Sequence, residues 1–274
     1  PVDPHGLVDP DDLSRALAGG AALVSIIHAS TEIGTIEPVA ELAARCRGAG
    51  VPMHTDAWGT AGMIETNVEA LGVSAMTVAG QNFGGPPGAA ALVMRTGVPL
   101  VPLIAGGVQE RGKRAGQQNV PAIAGMGVAA ALAAEELPSL ADRLRPVRDR
   151  LLERLADIDE VVVTGHPERR LPGHASVCVR YVEGEGLLLL LDRAGIRAAS
   201  GSACTSKSLE GSSVLEAIGL DPATANGSLV FSAGTENTPD EADRVVEALA
   251  PIVSRLREMS PLYNRKENDD ADVQ

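Results

Sequence analysis

The regular exchange between short, branched apolar runs and stretches of helical spacing is what most narrows the folds open to this chain. Residues 22–28, 51–55, 74–79 and 89–94 are short apolar runs of strand-forming character. Residues 9–12 supply acidic capping positions ahead of Leu13, Ala16 and Leu17. Residues 38–49 set Val39, Leu42, Ala43 and Cys46 at helical spacing, and Gly50 stops that helix. Apolar strands alternating with helices predict a mainly parallel sheet covered on both faces, an α/β fold.

The pattern changes near Glu135-Glu136-Leu137-Pro138. Beyond it, residues 139–156 read as a long amphipathic helix rich in Arg and Leu. Residues 161–163 and 175–179 read as strands, and 183–194, with five consecutive leucines, as a buried helix stopped by Gly195. Residues 228–233 form a further strand and 239–259 a long closing helix. This half is expected to be an α+β domain. No internal repeat is present.

Bulk properties exclude several function classes. Hydrophobic residues make up 45% of the chain and aromatics 2%, so the core must be built from Ala, Val, Leu and Ile. So few aromatic platforms argue against single-stranded nucleic-acid binding. With 23 basic against 36 acidic residues, the net charge of −13 repels phosphate backbones and anionic membranes. No apolar run is expected to reach the ~20 residues of a bilayer span, and the N-terminal residues show no signal-peptide pattern. The three cysteines, Cys46, Cys178 and Cys204, form no C-x-x-C pair, which argues against a disulfide framework or a zinc site. A reducing, cytoplasmic setting is expected.

Several ordered motifs carry the chemistry. Residues 79–88 read Ala-Gly-Gln-Asn-Phe-Gly-Gly-Pro-Pro-Gly, and residues 200–206 read Ser-Gly-Ser-Ala-Cys-Thr-Ser. Residues 30–38 read Ser-Thr-Glu-Ile-Gly-Thr-Ile-Glu-Pro and residues 54–57 His-Thr-Asp-Ala. A glycine-rich stretch, residues 106–119, follows. Taken in chain order, these motifs resemble those of the NifS/IscS-type cysteine desulfurases, over residues 2–263. The resemblance implies the fold of the PLP-dependent transferases, which is aspartate-aminotransferase-like. It implies a partial large domain at 1–137, a smaller α+β domain at 138–263 carrying the cysteine loop, and a polar tail at 264–274. Four strands are fewer than that large domain requires, so the rest is expected from an N-terminal segment or from a second chain.

The same resemblance marks positions whose chemistry has changed. The family loop carries a histidine followed by the lysine that holds pyridoxal phosphate as a Schiff base; here Gln81 and Asn82 stand in those places. An amide cannot form an imine, so the attachment point for the family's covalent chemistry is gone. The chain has three lysines, Lys113, Lys207 and Lys266, none at the head of the Gly-Gly-Pro loop. Thr31 replaces a cofactor-contacting asparagine, and Gly59 a glutamine that touches the ring oxygen. Ala79 and Gln117 replace hydroxyl donors to the phosphate. Val230 stands where the family forks an arginine onto the substrate carboxylate. Asp56 matches the aspartate that pairs with the pyridine nitrogen, although a strand-end aspartate is also a natural helix cap.

What the resemblance retains is Cys204, the sulfur-accepting cysteine, in a long Gly/Ser-flanked loop suited to an exposed and reactive thiol. The expectation is a cysteine desulfurase-like protein that lacks Schiff-base chemistry on its own, holds no cofactor alone, and acts in sulfur transfer or iron–sulfur assembly through Cys204. Two alternatives remain open: an active desulfurase completed by a partner chain, and a non-enzymatic scaffold offering Cys204 to a cluster. The expected partners are a second copy or a desulfurase-like subunit, together with a sulfur-acceptor or iron–sulfur scaffold protein. No nucleic acid or membrane is expected.

Overall fold

The computed structural model describes residues 1–201 and 211–263. The chain forms two compact units. One comprises Pro10–Ala29 and Glu37–Pro138; the other comprises Pro1–Asp9, Ser30–Ile36 and the chain from Ser139 onward.

The first unit is built on a four-stranded sheet, β1 (Val24–Ile27), β2 (Met53–Asp56), β3 (Ala75–Ala79) and β4 (Ala90–Met94), in that spatial order. The first three strands are parallel and β4 returns antiparallel to β3. Helix α1 is Pro10–Ala18, and α2 (Val39–Gly48) buries Val39, Leu42, Ala43 and Cys46. A short α3 (Val68–Leu71) is capped by the Asn67 side chain and ends at Gly72, whose φ of 69° suits glycine. Burial alternates along β2: Met53 and Thr55 are enclosed while His54 and Asp56 are not.

The apolar pattern predicts a sheet covered on both faces; among the described residues, one face of this sheet is left partly bare. On the His54 face, Ile27 and Leu92 remain 41% and 47% exposed. The central strands carry polar groups there: His54 Nδ1 meets Ser25 Oγ at 2.8 Å and His54 Nε2 meets Thr77 Oγ1 at 2.8 Å. Pairing across the strands satisfies the ring without a helix above it.

Helix α4 runs unbroken over Val120–Ala156, so the expected break before Ser139 does not exist as an end of secondary structure. Proline at 138 removes one backbone donor, but Ala, Leu and Glu on both sides favour continuing the helix. The unit boundary instead falls inside the helix, at Pro138. By length and composition alone, α4 also contains a window apolar enough to cross a bilayer, 11% of it buried. The expectation that no such run exists is corrected here. Its apolar character comes from Ala and Gly interspersed with Val, Ile and Leu.

The second unit has a three-stranded antiparallel sheet, β5 (Val161–Val163), β6 (His174–Val179) and β7 (Ser228–Ser232), with β6 in the centre. Helices α5 (Gly184–Arg193) and α8 (Pro239–Glu258) supply Leu187, Leu191 and Leu249 to a core that meets Val177 and Leu229. A capping box between Thr238 and Glu241 starts α8. Every residue of β6 is buried because two cores flank it. Val177 and Val179 join the first, while Cys178 points into a smaller cluster with Ile33, Leu215 and Ile218. Leu215 belongs to α6 (Ser213–Ala217), which precedes α7 (Pro222–Ala225).

Candidate functional site

In the first unit, Asp56 and Asn82 converge on one residue, Trp58. Asp56 ends β2 and its Oδ1 accepts the Trp58 backbone N–H at 2.9 Å. Asn82 Nδ2 donates to the Trp58 carbonyl at 2.5 Å. Asn82 is presented by a 3-10 turn over Gly80–Phe83 that follows β3 and closes at Gly84, where φ is 87°. The turn is tight because Gly85 N–H donates to Gly80 O at 2.8 Å, with no room for a side chain at 85. Gln81 in the same turn is exposed, and the preceding Ala79 is buried and carries no hydroxyl.

Beside the end of β2, His28 is enclosed. Its backbone N–H donates to Asp56 O at 2.8 Å and its Nδ1 meets Thr60 Oγ1 at 3.0 Å. Burial depresses its pKa to about 4, so the ring is neutral at physiological pH.

The residues around 79–88 do not fit covalently bound pyridoxal phosphate. No amine is present in the turn, the Asn82 amide is engaged by a backbone carbonyl, and an Asp56 oxygen caps the following turn. Lys113 lies in the segment after the 3-10 turn Gln109–Gly112, where Gln117 is exposed. Lys207 and Lys266 are outside the described residues. Among the described residues, no three His, Cys, Asp or Glu side chains group as a metal site.

Thr31 lies in the other unit, on the segment Ser30–Ile36. Its side chain is exposed, and its carbonyl accepts from His174 Nε2 at 2.8 Å. The segment is fixed further by Leu171 N–H to Gly34 O at 2.9 Å, Ile36 N–H to Arg169 O at 2.9 Å, and Ser176 Oγ to Ile33 O at 3.2 Å. His174 is almost fully enclosed, and burial brings its pKa down to about 4. In β7, Val230 is buried opposite Ser176 and offers nothing to a carboxylate.

Cys204 lies outside the described residues. The other two cysteines are both fully buried. Burial pushes the Cys178 thiol up to about 12, assisted by Glu32 and Asp221, and burial also raises Cys46. Neither supplies thiolate at neutral pH.

The class-V aminotransferase family model matches residues 1–245. A cysteine desulfurase IscS 1 from Archaeoglobus fulgidus is 44% identical over 97% of this chain and 69% of its own length. The chain belongs to the cysteine desulfurase family. A cysteine desulfurase IscS from Methanosarcina thermophila is likewise 44% identical, over 96% of this chain and 65% of its own length. Among solved structures, a NifS-like protein from Rickettsia africae superposes with a TM-score of 0.85 at 29% identity, covering 92% of this desulfurase-family chain and 68% of that one. The desulfurase-family chain thus spans roughly two thirds of its relatives' length, 65–69% for these two curated proteins.

Within this desulfurase-family chain, Trp58 had no role in the sequence reading. It is the one tryptophan, the residue is 44% exposed, and its peptide groups take the side chains of two motif positions. Its place directly after His-x-Asp-Ala was the available signal.

Proposed function

We propose that this chain is a desulfurase-family subunit that carries sulfur on Cys204 and does not itself form a Schiff base with pyridoxal phosphate. The observation that carries the reading is Asn82: it occupies the family's lysine position and spends its amide on the Trp58 carbonyl. A carboxamide has no nucleophilic lone pair with which to condense on an aldehyde.

The sulfur step needs no cofactor on this chain. The Cys204 thiolate attacks the outer sulfur of a donor persulfide, a new S–S bond forms at Cys204, and the donor leaves as its thiolate. The two thiols exchange one sulfane sulfur with no net oxidant consumed. Incubation with a persulfide donor, followed by peptide mass spectrometry, should show a 32 Da addition on Cys204 alone (roughly one sulfur atom by thiol–disulfide stoichiometry). Equal loading of a Cys204→Ala variant would defeat the reading.

The same proposal includes a second chain. Val101, Leu103 and Val108 in the first unit are 87%, 99% and 87% exposed. Large side chains so fully bared and so close in sequence mark a surface that another chain covers. On this proposal that chain is a second copy or a desulfurase-like subunit, and the bared surface also suits the alternative that a partner brings the cofactor.

A further inference from the structure

The way helix α5 ends leaves one edge of the second sheet open. Gly195 turns the chain at a φ of 78°, and the N–H groups of Gly195 and Ile196 go back to Asp192 O and Leu191 O, each at 2.9 Å. The segment therefore meets β7 only at Ala199, which exchanges both backbone hydrogen bonds with Val230, at 2.9 and 2.7 Å. Ser232 lies two residues further along β7. Ala233 N–H donates to Gly173 O at 2.8 Å, so the alternation of an antiparallel pair turns the Ser232 N–H and C=O away from β6. Among the described residues no backbone group meets them, and Ser232 is exposed.

Beside this edge lies a cleft of about 800 Å³, within the size range of small-molecule sites. Val147 and Leu151 of α4 and Phe231 of β7 give it an apolar wall. Arg197 and Arg244 line it too. The arginines of α4 close by are paired: Arg148 with Asp149, Arg150 with Asp243, Arg154 with Asp157. Among the described residues neither Arg197 nor Arg244 has a carboxylate within ion-pair distance, and Arg244 acts on Glu241 only through space. Both acidic lining residues, Glu241 and Glu247, stand on α8, and Glu241 is committed to the capping box. An anion is accommodated on the opposite wall, beside Arg197 and Ser232.

We propose that this cleft binds a small organic acid with an apolar body, the Arg197 guanidinium and the Ser232 N–H holding its carboxylate. Val147, Leu151 and Phe231 take the body. A guanidinium beside a backbone donor suits a carboxylate, and the apolar wall favours hydrocarbon acids over hydroxylated ones. The inference does not depend on sulfur transfer.

Titration of the isotope-labelled full chain with butyrate, hexanoate and 4-phenylbutyrate at neutral pH, read by amide NMR, tests it. Shifts at Ile196, Ser232 and Ala248 should saturate, and affinity should rise from butyrate to 4-phenylbutyrate. The matched neutral amides should bind about three- to tenfold more weakly, the range of a partly solvated charge-assisted contact. Arg197→Ala should weaken the acids by the same factor and leave the amides unchanged. Arg197 is exposed, so its removal disturbs no core contact. Four results would each overturn the site: acids and amides of equal affinity, acid binding unchanged in Arg197→Ala, a flat series from butyrate to 4-phenylbutyrate, or no saturable shift at these amides with any of the acids.

Discussion

Asn82 donates its side-chain amide to the backbone carbonyl of Trp58 at 2.5 Å. Asn82, which the proposal sets at the family's lysine position, is thereby committed to holding the Gly80–Phe83 turn against the end of β2, where the Asp56 carboxylate accepts the Trp58 N–H. Restoring a lysine alone should therefore not restore chemistry. Asn82→Lys is expected to release the Trp58 carbonyl and to yield no alanine from L-cysteine above background. On the proposed reading, the family's carboxylate position still holds Val230, and its phosphate positions still hold Ala79 and Gln117. Alanine formation by this single variant, measured by amino-acid analysis, would contradict the account.

Thiol reactivity should divide sharply. Cys178, with its pKa pushed up to about 12, and the buried Cys46 should resist iodoacetamide in the folded chain. Cys204 should alkylate first, and the other two only after denaturant is added. Reaction of Cys46 or Cys178 ahead of Cys204 would reverse that order.

Acid should weaken the fold through its buried imidazoles. His28 and His174 titrate at about 4 in the folded chain, against an ordinary value of 6.5. As pH falls below 6.5 the unfolded chain takes up protons that the folded chain refuses until about 4, so the stability these residues contribute is present above 6.5 and lost across that window. Urea midpoints measured at pH 7 and pH 5 should differ, and His174→Gln should narrow the difference. A variant whose midpoint falls with acid as steeply as the wild type would show that His174 takes no part.

The bared apolar residues of the first unit predict association. Wild-type protein is expected to sediment as a dimer at micromolar concentration, and Leu103→Asp to shift it toward monomer without changing its circular dichroism. Leu103 is 99% exposed in the single chain, so the substitution itself disturbs no internal contact. A wild-type chain that sediments as a stable monomer would remove the second-chain proposal.

Much of this architecture was legible in the sequence because the strands are short apolar runs and the helices carry clear capping and stop signals. The runs at 51–55 and 175–179 became β2 and β6 with small shifts at their ends. Three things were not legible. The composition change at Pro138 looked like a helix start, but favourable neighbours carried α4 through it. The segment Ser30–Ile36 lies between residues of the first unit, yet hydrogen bonds to Leu171, His174 and Ser176 place it in the second. Glu32 meets Ser212 across 180 positions, a pairing that no local pattern encodes. At the candidate site, motif order singled out Asp56 and Asn82, and the structure adds that both bond Trp58. Their shared partner Trp58 required the backbone geometry.

The most direct test of the central claim is the visible spectrum of the purified chain mixed with pyridoxal phosphate, before and after borohydride, followed by intact-mass measurement. With Asn82 at the lysine position, the account predicts no imine band, no spectral change on reduction and no added cofactor mass. A borohydride-fixed pyridoxyl group on any residue of this chain would contradict it.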